Sequence, residues 1–252
     1  MLLYQDIVVI NKDYLDYLHS IDGRVMINHP NRKERPNVAV LLDDDGQKWA
    51  IPLSHSTRDV DSDVTYNLFN DDNQPLGHLK FNNMIPLVDG TYSSAFDIPD
   101  SRYRSLLIEQ EEIINKVFEK EILTRFNKVK QINREINDFK SQTNPTEEEI
   151  RRYDRKSKFY NIINDFDALE EGAAKWQVVS NIDIYIDKRL SCATKNKEII
   201  EIRDEFQDFL NDKELQNVFQ YRKENRTLLE KKFQNFNEMI ENLKSRDDQR
   251  EM

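Results

Sequence analysis

Apolar positions in the first hundred residues cluster in short runs, at residues 6–10, 37–42, 48–53 and 84–88, with polar and turn-forming residues between them. Runs of this length, rich in Val, Ile and Leu and bounded by turn chemistry such as Asp43-Asp44-Asp45-Gly46, predict β-strands. The two runs on either side of that Asp-Gly pair predict a hairpin. Tyr14, Leu15, Tyr17 and Leu18 interrupt the strand pattern at helical spacing. They predict a short helix over residues 11–19 with Asn11 as its cap.

After Ser101 the period lengthens. Leu106, Leu107, Ile113, Ile114, Val117 and Phe118 recur with charges between them, which predicts an amphipathic helix. The pattern runs on through Ile122 to Phe139 and stops before Asn144-Pro145. Thr146 and Glu149 then have the spacing of a capping box that opens a further helix running toward Phe166. Beyond Asn181, Ile199, Ile202, Phe206, Phe209 and Leu210, and then Leu228, Leu229, Phe233, Phe236 and Ile240, predict at least two more helices. No fixed repeat or strict heptad is present, so a coiled coil is not expected. Four of the five glycines and six of the seven prolines precede residue 102, so the chain changes texture there.

Composition narrows the class. Of 252 residues, 38% are apolar and 33% charged, the balance of a folded chain with exposed helices. No run approaches the roughly 20 apolar residues of a membrane span. The opening MLLYQDIVVINKDYL reaches acidic and polar residues too early for a signal peptide, so the cytoplasm is the expected location. The single cysteine, Cys192, excludes an internal disulfide framework and a Cys-based zinc site. No dinucleotide, Walker A, H-E-x-x-H or C-x-x-C motif occurs, and His19, His29, His55 and His78 are scattered, so no cofactor or metal is expected. The acid pairs Asp61/Asp63 and Asp71/Asp72 could hold magnesium, but loop acids usually serve solubility.

The net charge of -10 opposes binding to a phosphate backbone. It is unevenly spread: residues 125–158 hold ten Lys or Arg against six acids. Arg125, Lys128, Lys130, Arg151, Arg152 and Arg155 are therefore candidate RNA contacts, with a solvated helix face as the alternative. Phe126, Phe139, Tyr153, Phe159 and Tyr160 lie between them and could stack on bases, although helical spacing favours a core role. From residue 181 onward sixteen acids meet fourteen bases, which argues against a generic RNA clamp there.

The densest chemistry follows the third strand, in Ser54-His55-Ser56-Thr57-Arg58. Cleavage of RNA by internal attack needs a base near the 2'-hydroxyl, an acid near the leaving 5'-oxygen and donors around the phosphorane. Imidazole is the side chain best tuned to such proton transfer near neutral pH. His55 can be the acid or base, Arg58 the charge stabiliser, and Ser54 or Ser56 a phosphate donor.

A family resemblance rests on the order of several segments. These are the opening strand and helix from Tyr4 through Leu18, Arg35-Pro36-Asn37-Val38-Ala39-Val40-Leu41, and Lys48-Trp49-Ala50-Ile51-Pro52-Leu53-Ser54 behind Gly46. Leu79-Lys80-Phe81-Asn82-Asn83-Met84-Ile85-Pro86-Leu87 and Tyr103-Arg104 with Leu106-Leu107 follow. In this order they resemble the ToxN/AbiQ family of type III toxin–antitoxin endoribonucleases, over roughly residues 1–120 and more weakly through residues 164–171. The resemblance implies an α+β fold: a compact, twisted antiparallel sheet of the Kid and MazF kind with flanking helices and a C-terminal helical extension. It implies a metal-independent, sequence-specific endoribonuclease that leaves 2',3'-cyclic phosphate ends and aborts phage infection. An RNA antitoxin of tandem pseudoknot repeats would restrain it within a closed ring.

In that family the turn after Pro-Leu reads Thr/Ser-Ser-Pro-Lys. Ser54 matches the first hydroxyl, His55 stands where the second serine is usual, and Thr57 or Arg58 replaces the lysine. Arg35 matches a basic residue of the same pocket, and Lys33, Thr57 and Lys80 are expected to bind RNA around it. Two outcomes stay open: His55 and Arg58 run the cleavage, or the pocket only binds RNA. A non-enzymatic helical adaptor is the alternative of a different class. The expected domains are residues 1–178, carrying the nuclease, and 179–252, a charged helical extension.

Overall fold

The computed structural model describes residues 4–28, 35–41, 47–56, 62–97, 100–160, 162–193 and 196–248. The strands are β1 (Tyr4–Ile10), β2 (Pro36–Leu41), β3 (Lys48–Ser54), β4 (Thr65–Phe69), β5 (Pro75–Lys80), β6 (Ile85–Leu87) and β7 (Tyr92–Ser94). Helix α1 (Lys12–Ile21) sits between β1 and β2. After the strands come α2 (Ser101–Val117), α3 (Leu123–Ser141), α4 (Glu147–Tyr160), α5 (Phe166–Cys192), α6 (Asn196–Asn211), α7 (Lys213–Tyr221) and α8 (Lys223–Asp248). The architecture is α+β with an antiparallel sheet ordered β4-β5-β3-β2-β1-β7.

Strand β3 organises the sheet. Lys48, Trp49 and Ala50 pair with β6, and Leu53 and Ser54 pair with β5. A 3-10 turn, Phe81–Asn83, joins those two partners. Trp49, Ile51 and Leu53 alternate onto one face and are almost fully buried with Val38, Leu68 and Leu79 from neighbouring strands. Leu107, Ile113 and Ile114 of α2 and Phe126, Val129 and Ile132 of α3 complete that core. The Trp49 ring meets Phe126 and Phe166 edge-on, with centroids 6.2 and 5.2 Å apart. Between α2 and α3, Phe118–Ile122 is a π-helical turn, so the two helices run on with both of its ends buried.

The chain separates into two compact units, Met1–Ala173 and Ala174–Met252. The second is helical, with Trp176, Ile186, Ile202, Phe206, Val218, Phe219 and Leu229 buried. Among the described residues no helix is long and apolar enough to cross a membrane.

Several local expectations change. Asn11 precedes α1, but its side chain donates to the Gly90 carbonyl (3.2 Å) instead of capping the helix. The capping box forms: the Thr146 backbone N–H donates to Glu149 (2.7 Å), and the Glu149 N–H donates to the Thr146 hydroxyl (3.3 Å). The helix expected to reach Phe166 ends at Tyr160, and Phe166 opens the 27-residue α5. Strands β4, β5 and β7 join the expected four. The hairpin strands pair antiparallel from Asn37↔Pro52 to Leu41↔Lys48, while the Asp-Gly connection lies outside the described residues.

Candidate active site

The C-terminal end of β3 is the meeting point. Directly opposed residues of an antiparallel ladder share a face. Asn37 opposes Pro52, Ser54 opposes His78, His78 opposes Asn67, and Lys80 opposes Thr65. Polar side chains from β2, β3, β5 and β4 therefore line one face of this end of the sheet, on the side opposite the Trp49–Leu53 core. Arg35, one step before β2, is placed by its own N–H donating to Asn28 (3.1 Å) and by Asn37 Nδ2 donating to its carbonyl (2.9 Å). Lys80 is not a strand-edge charge, because β5 has β4 on one side and β3 on the other.

Two cations share this surface. Burial, and secondarily the charge of Arg35, hold the Lys80 ammonium below the usual lysine range. An anion near both would relieve their repulsion. His78 is 4% exposed, and its Nδ1–H donates to the Ser56 carbonyl (3.2 Å). Burial holds the His78 imidazole below its ordinary value, and Lys80 acts in the same direction.

Gly77 makes the strand approach possible. Its φ is +138°, and a Cβ there would lie 2.2 Å from the Ser54 carbonyl oxygen. Only a residue without a side chain lets β5 close on the end of β3.

His55, one residue beyond β3, turns toward α2. Its Nε2 is 2.9 Å from the Tyr103 hydroxyl, the two rings meet edge to face at 5.0 Å, and Nδ1 is 3.3 Å from Gln110 Nε2. Tyr103 is set by the N-cap of α2, where the Asp100 carboxylate accepts from the N–H groups of Arg102 and Tyr103. Burial raises the Tyr103 phenol above its ordinary value.

Ser54, His55 and Ser56 are thus brought to one turn, with Arg35 just before β2 and Lys80 at the end of β5. Thr57, Arg58 and Lys33 lie outside the described residues, as does the side chain of Arg155. The candidate contacts on α3 are bound within the fold. Arg125 donates to the carbonyls of Ser62 and Thr65, and Lys128 pairs with Asp63 (2.6 Å). Lys130 pairs with Glu170 (3.0 Å) and lies 4.5 Å from the Trp49 ring centre. On α4, Arg151 pairs with Glu147 one turn back, and Arg152 lines a groove with Phe139 and the Tyr153 ring stacked on it. Among the described residues no cluster of three His, Cys, Asp or Glu could hold a metal ion, and Asp63 and Asp71 pair with Lys128 and Lys116.

Sequence reasoning missed His78 and Gln110 and placed Tyr103 in the family pattern without a part in the site. Their signals are modest. His78 and Lys80 alternate on one strand face, and Gln110 stands in the apolar stripe of α2 between Leu107 and Ile113–Ile114, where a polar residue needs a partner.

The family model for toxin ToxN of type III toxin–antitoxin systems matches residues 6–174. Endoribonuclease ToxN of Bacillus thuringiensis subsp. kurstaki is 31% identical over 134 residues, which is 50% of this chain. The match covers 66% of that relative, just under two thirds of its length. One solved structure, from work on selective inhibition of a type III toxin by a non-coding RNA pseudoknot, is 25% identical with a TM-score of 0.53. That match covers 68% of this chain and 96% of the other. A second, from a bacterial antiviral system regulated by a processed non-coding RNA, is 18% identical with a TM-score of 0.50, covering 68% and 98%. The fold is that of a type III toxin–antitoxin toxin. The chain belongs to the ToxN family, and the family match ends where the first compact unit ends.

Proposed function

We propose that this chain is an endoribonuclease whose centre is the turn that follows β3. The observation that carries the reading is the His55–Tyr103 hydrogen bond of 2.9 Å beside Ser54, at the sheet end that also holds Arg35 and Lys80. Arg35 and Lys80 hold the scissile phosphate and offset the charge that grows on it. Ser54 and Ser56 donate to its oxygens, and Arg58 adds a further cation. The 2'-hydroxyl oxygen attacks the adjacent phosphorus, the bond to the 5'-oxygen breaks, and the His55–Tyr103 pair handles the proton transfer. The products are a 2',3'-cyclic phosphate and a 5'-hydroxyl. Side chains serve the charge on the phosphate and the proton for the leaving oxygen, and the cleavage is read as metal-independent.

The sheet is read as a Kid/MazF-like core. The nuclease occupies residues 1–178, and residues 179–252 form a helical extension. An RNA of tandem pseudoknot repeats restrains the toxin in a closed ring in the cytoplasm, and release of the toxin aborts phage infection. The family match, and the pseudoknot-inhibited toxin of similar fold, support this part of the reading. Lys33, Thr57, Arg151, Arg152 and Arg155 extend the RNA surface. Arg125, Lys128 and Lys130 serve the fold first.

The test is induction of the wild type, His55→Ala and Lys80→Ala in a bacterial host, with growth followed and the ends of cellular RNA mapped. The expected result is growth arrest with new cyclic-phosphate ends, abolished by either substitution. Unchanged growth and RNA ends with soluble wild type would sink the reading and favour a non-enzymatic adaptor.

A further inference from the structure

Gln110 contacts two groups through one atom. Its Nε2 is 2.6 Å from the Leu76 carbonyl oxygen and 3.3 Å from His55 Nδ1. A carbonyl oxygen only accepts, so the shorter contact demands a donor, and the flipped amide would set two oxygens against each other. The amide orientation is thereby fixed, with one hydrogen on Leu76 and the other directed at His55. A donor-only nitrogen facing Nδ1 makes Nδ1 the unprotonated ring nitrogen. Neutral His55 then carries its hydrogen on Nε2, aimed at Tyr103 Oη.

Two features show that this amide is held in place. Gln110 is fully buried on α2, with Oε1 lacking a hydrogen-bond partner among the described residues, so the Nε2 contacts alone set the amide. A Cβ at Gly77 would lie 3.1 Å from Gln110 Nε2, so the glycine that admits Ser54 also leaves room for the amide.

We infer that Gln110 is a positioning residue that locks His55 in the Nε2–H tautomer, so that His55 donates to Tyr103 and Tyr103 protonates the leaving oxygen. This rests on the cleavage reading above. The phenol O–H bond breaks as the 5'-oxygen gains that proton and the P–O5' bond opens. The electron pair stays on Oη, stabilised by the Nε2–H donor. Water that has taken the 2'-hydroxyl proton then reprotonates the phenolate.

Nitrogen-15 long-range correlation spectra of ring-labelled protein, with His55 assigned through His55→Ala, read the tautomer without any activity. The wild type is expected to show Nε2 protonated and Nδ1 bare. Gln110→Glu is expected to sit as a neutral acid that donates its hydrogen to the Leu76 carbonyl and to move the His55 hydrogen to Nδ1, which then donates to that carboxyl oxygen. A hydrogen on Nδ1 in the wild type overturns the inference, even should Gln110→Glu fail to fold; so does an unchanged tautomer in folded Gln110→Glu.

The second measurement is cleavage of a mapped RNA site with either oxygen or a bridging sulfur at the 5' position, since a thiolate leaves without a proton. Tyr103→Phe and Gln110→Glu are expected to lose about 10²–10⁴-fold on the oxygen substrate and to recover on the sulfur one. Equal loss on both overturns the acid role of Tyr103. A wild type with the expected tautomer that cuts neither RNA overturns the cleavage reading itself.

Discussion

In Met1–Ala173 the interior includes Asn37, Asn67, His78, Asn82, Gln110, Asn133 and Asn164, each less than a tenth exposed. In Ala174–Met252 every buried residue among those described is apolar. Burying a polar group costs free energy unless its hydrogen bonds are remade, so a chain free to choose would keep both interiors apolar. The polar set divides by role. Asn82, Asn133 and Asn164 donate to the carbonyls of Ile162, Asn164 and Met84, tying the 3-10 turn after β5, α3 and the entry to α5 together. Asn37, Asn67, His78 and Gln110 surround the end of β3. The difference teaches that the first interior is shaped for geometry and the second for adhesion.

The largest expected effect breaks the adhesive unit. Phe206 is fully buried and meets Phe233 edge-on at 5.5 Å, so Phe206→Ala is expected to destabilise the second unit by about 3–5 kcal/mol, measured by urea denaturation. Next comes the geometric unit. Gly77→Ala combines a forbidden approach to Ser54 with a left-handed backbone. It is expected to cost more than about 1 kcal/mol and to lower cleavage disproportionately, as seen by comparing thermal melts with RNA cleavage rates.

A pH titration separates the units further. His78 is held below its ordinary 6.5, so the unfolded chain takes up a proton before the folded one does. Its stabilising contribution is complete above pH 6.5 and is lost as pH falls from 6.5 toward the folded value. Melting curves from pH 7.5 to 5 are expected to show this loss in the wild type, with a smaller loss in His78→Gln. The smallest effects fall on the helix charges. Arg151→Ala, breaking an exposed pair with Glu147, is expected to change stability by less than about 0.5 kcal/mol while lowering the salt slope of RNA binding by about 1. Lys130→Met is expected to leave that slope unchanged, because Glu170 and Trp49 already engage the ammonium.

Much of this arrangement was legible in sequence because its periods are clean. The Val- and Ile-rich runs of β1 to β3, the stripe of α2 and α3, and the Thr146–Glu149 box all follow local rules. Strands β4 and β5 escaped because Asn67 and His78 occupy buried positions where alternation calls for apolar residues, and Pro75 and Gly77 weaken the strand signal. Asn11 has the chemistry of a cap, yet Gly90, 79 residues away, claims its side chain. The turn at His55 was visible, but its partners Tyr103 and Gln110 are 48 and 55 residues further on. Position along the chain does not encode such pairings. They emerge only when α2 docks.

That separation has a temporal consequence. On the ribosome the sheet strands all emerge before α2, so the turn after β3 can form while Tyr103 and Gln110 are still unmade. At roughly 5–20 residues per second, synthesis from His55 to Gln110 takes roughly 3–11 s. During that interval the nascent chain has its sheet residues made and the His55–Tyr103 hydrogen bond still unformed. The contacts that orient His55 are therefore late additions to a sheet synthesised before them.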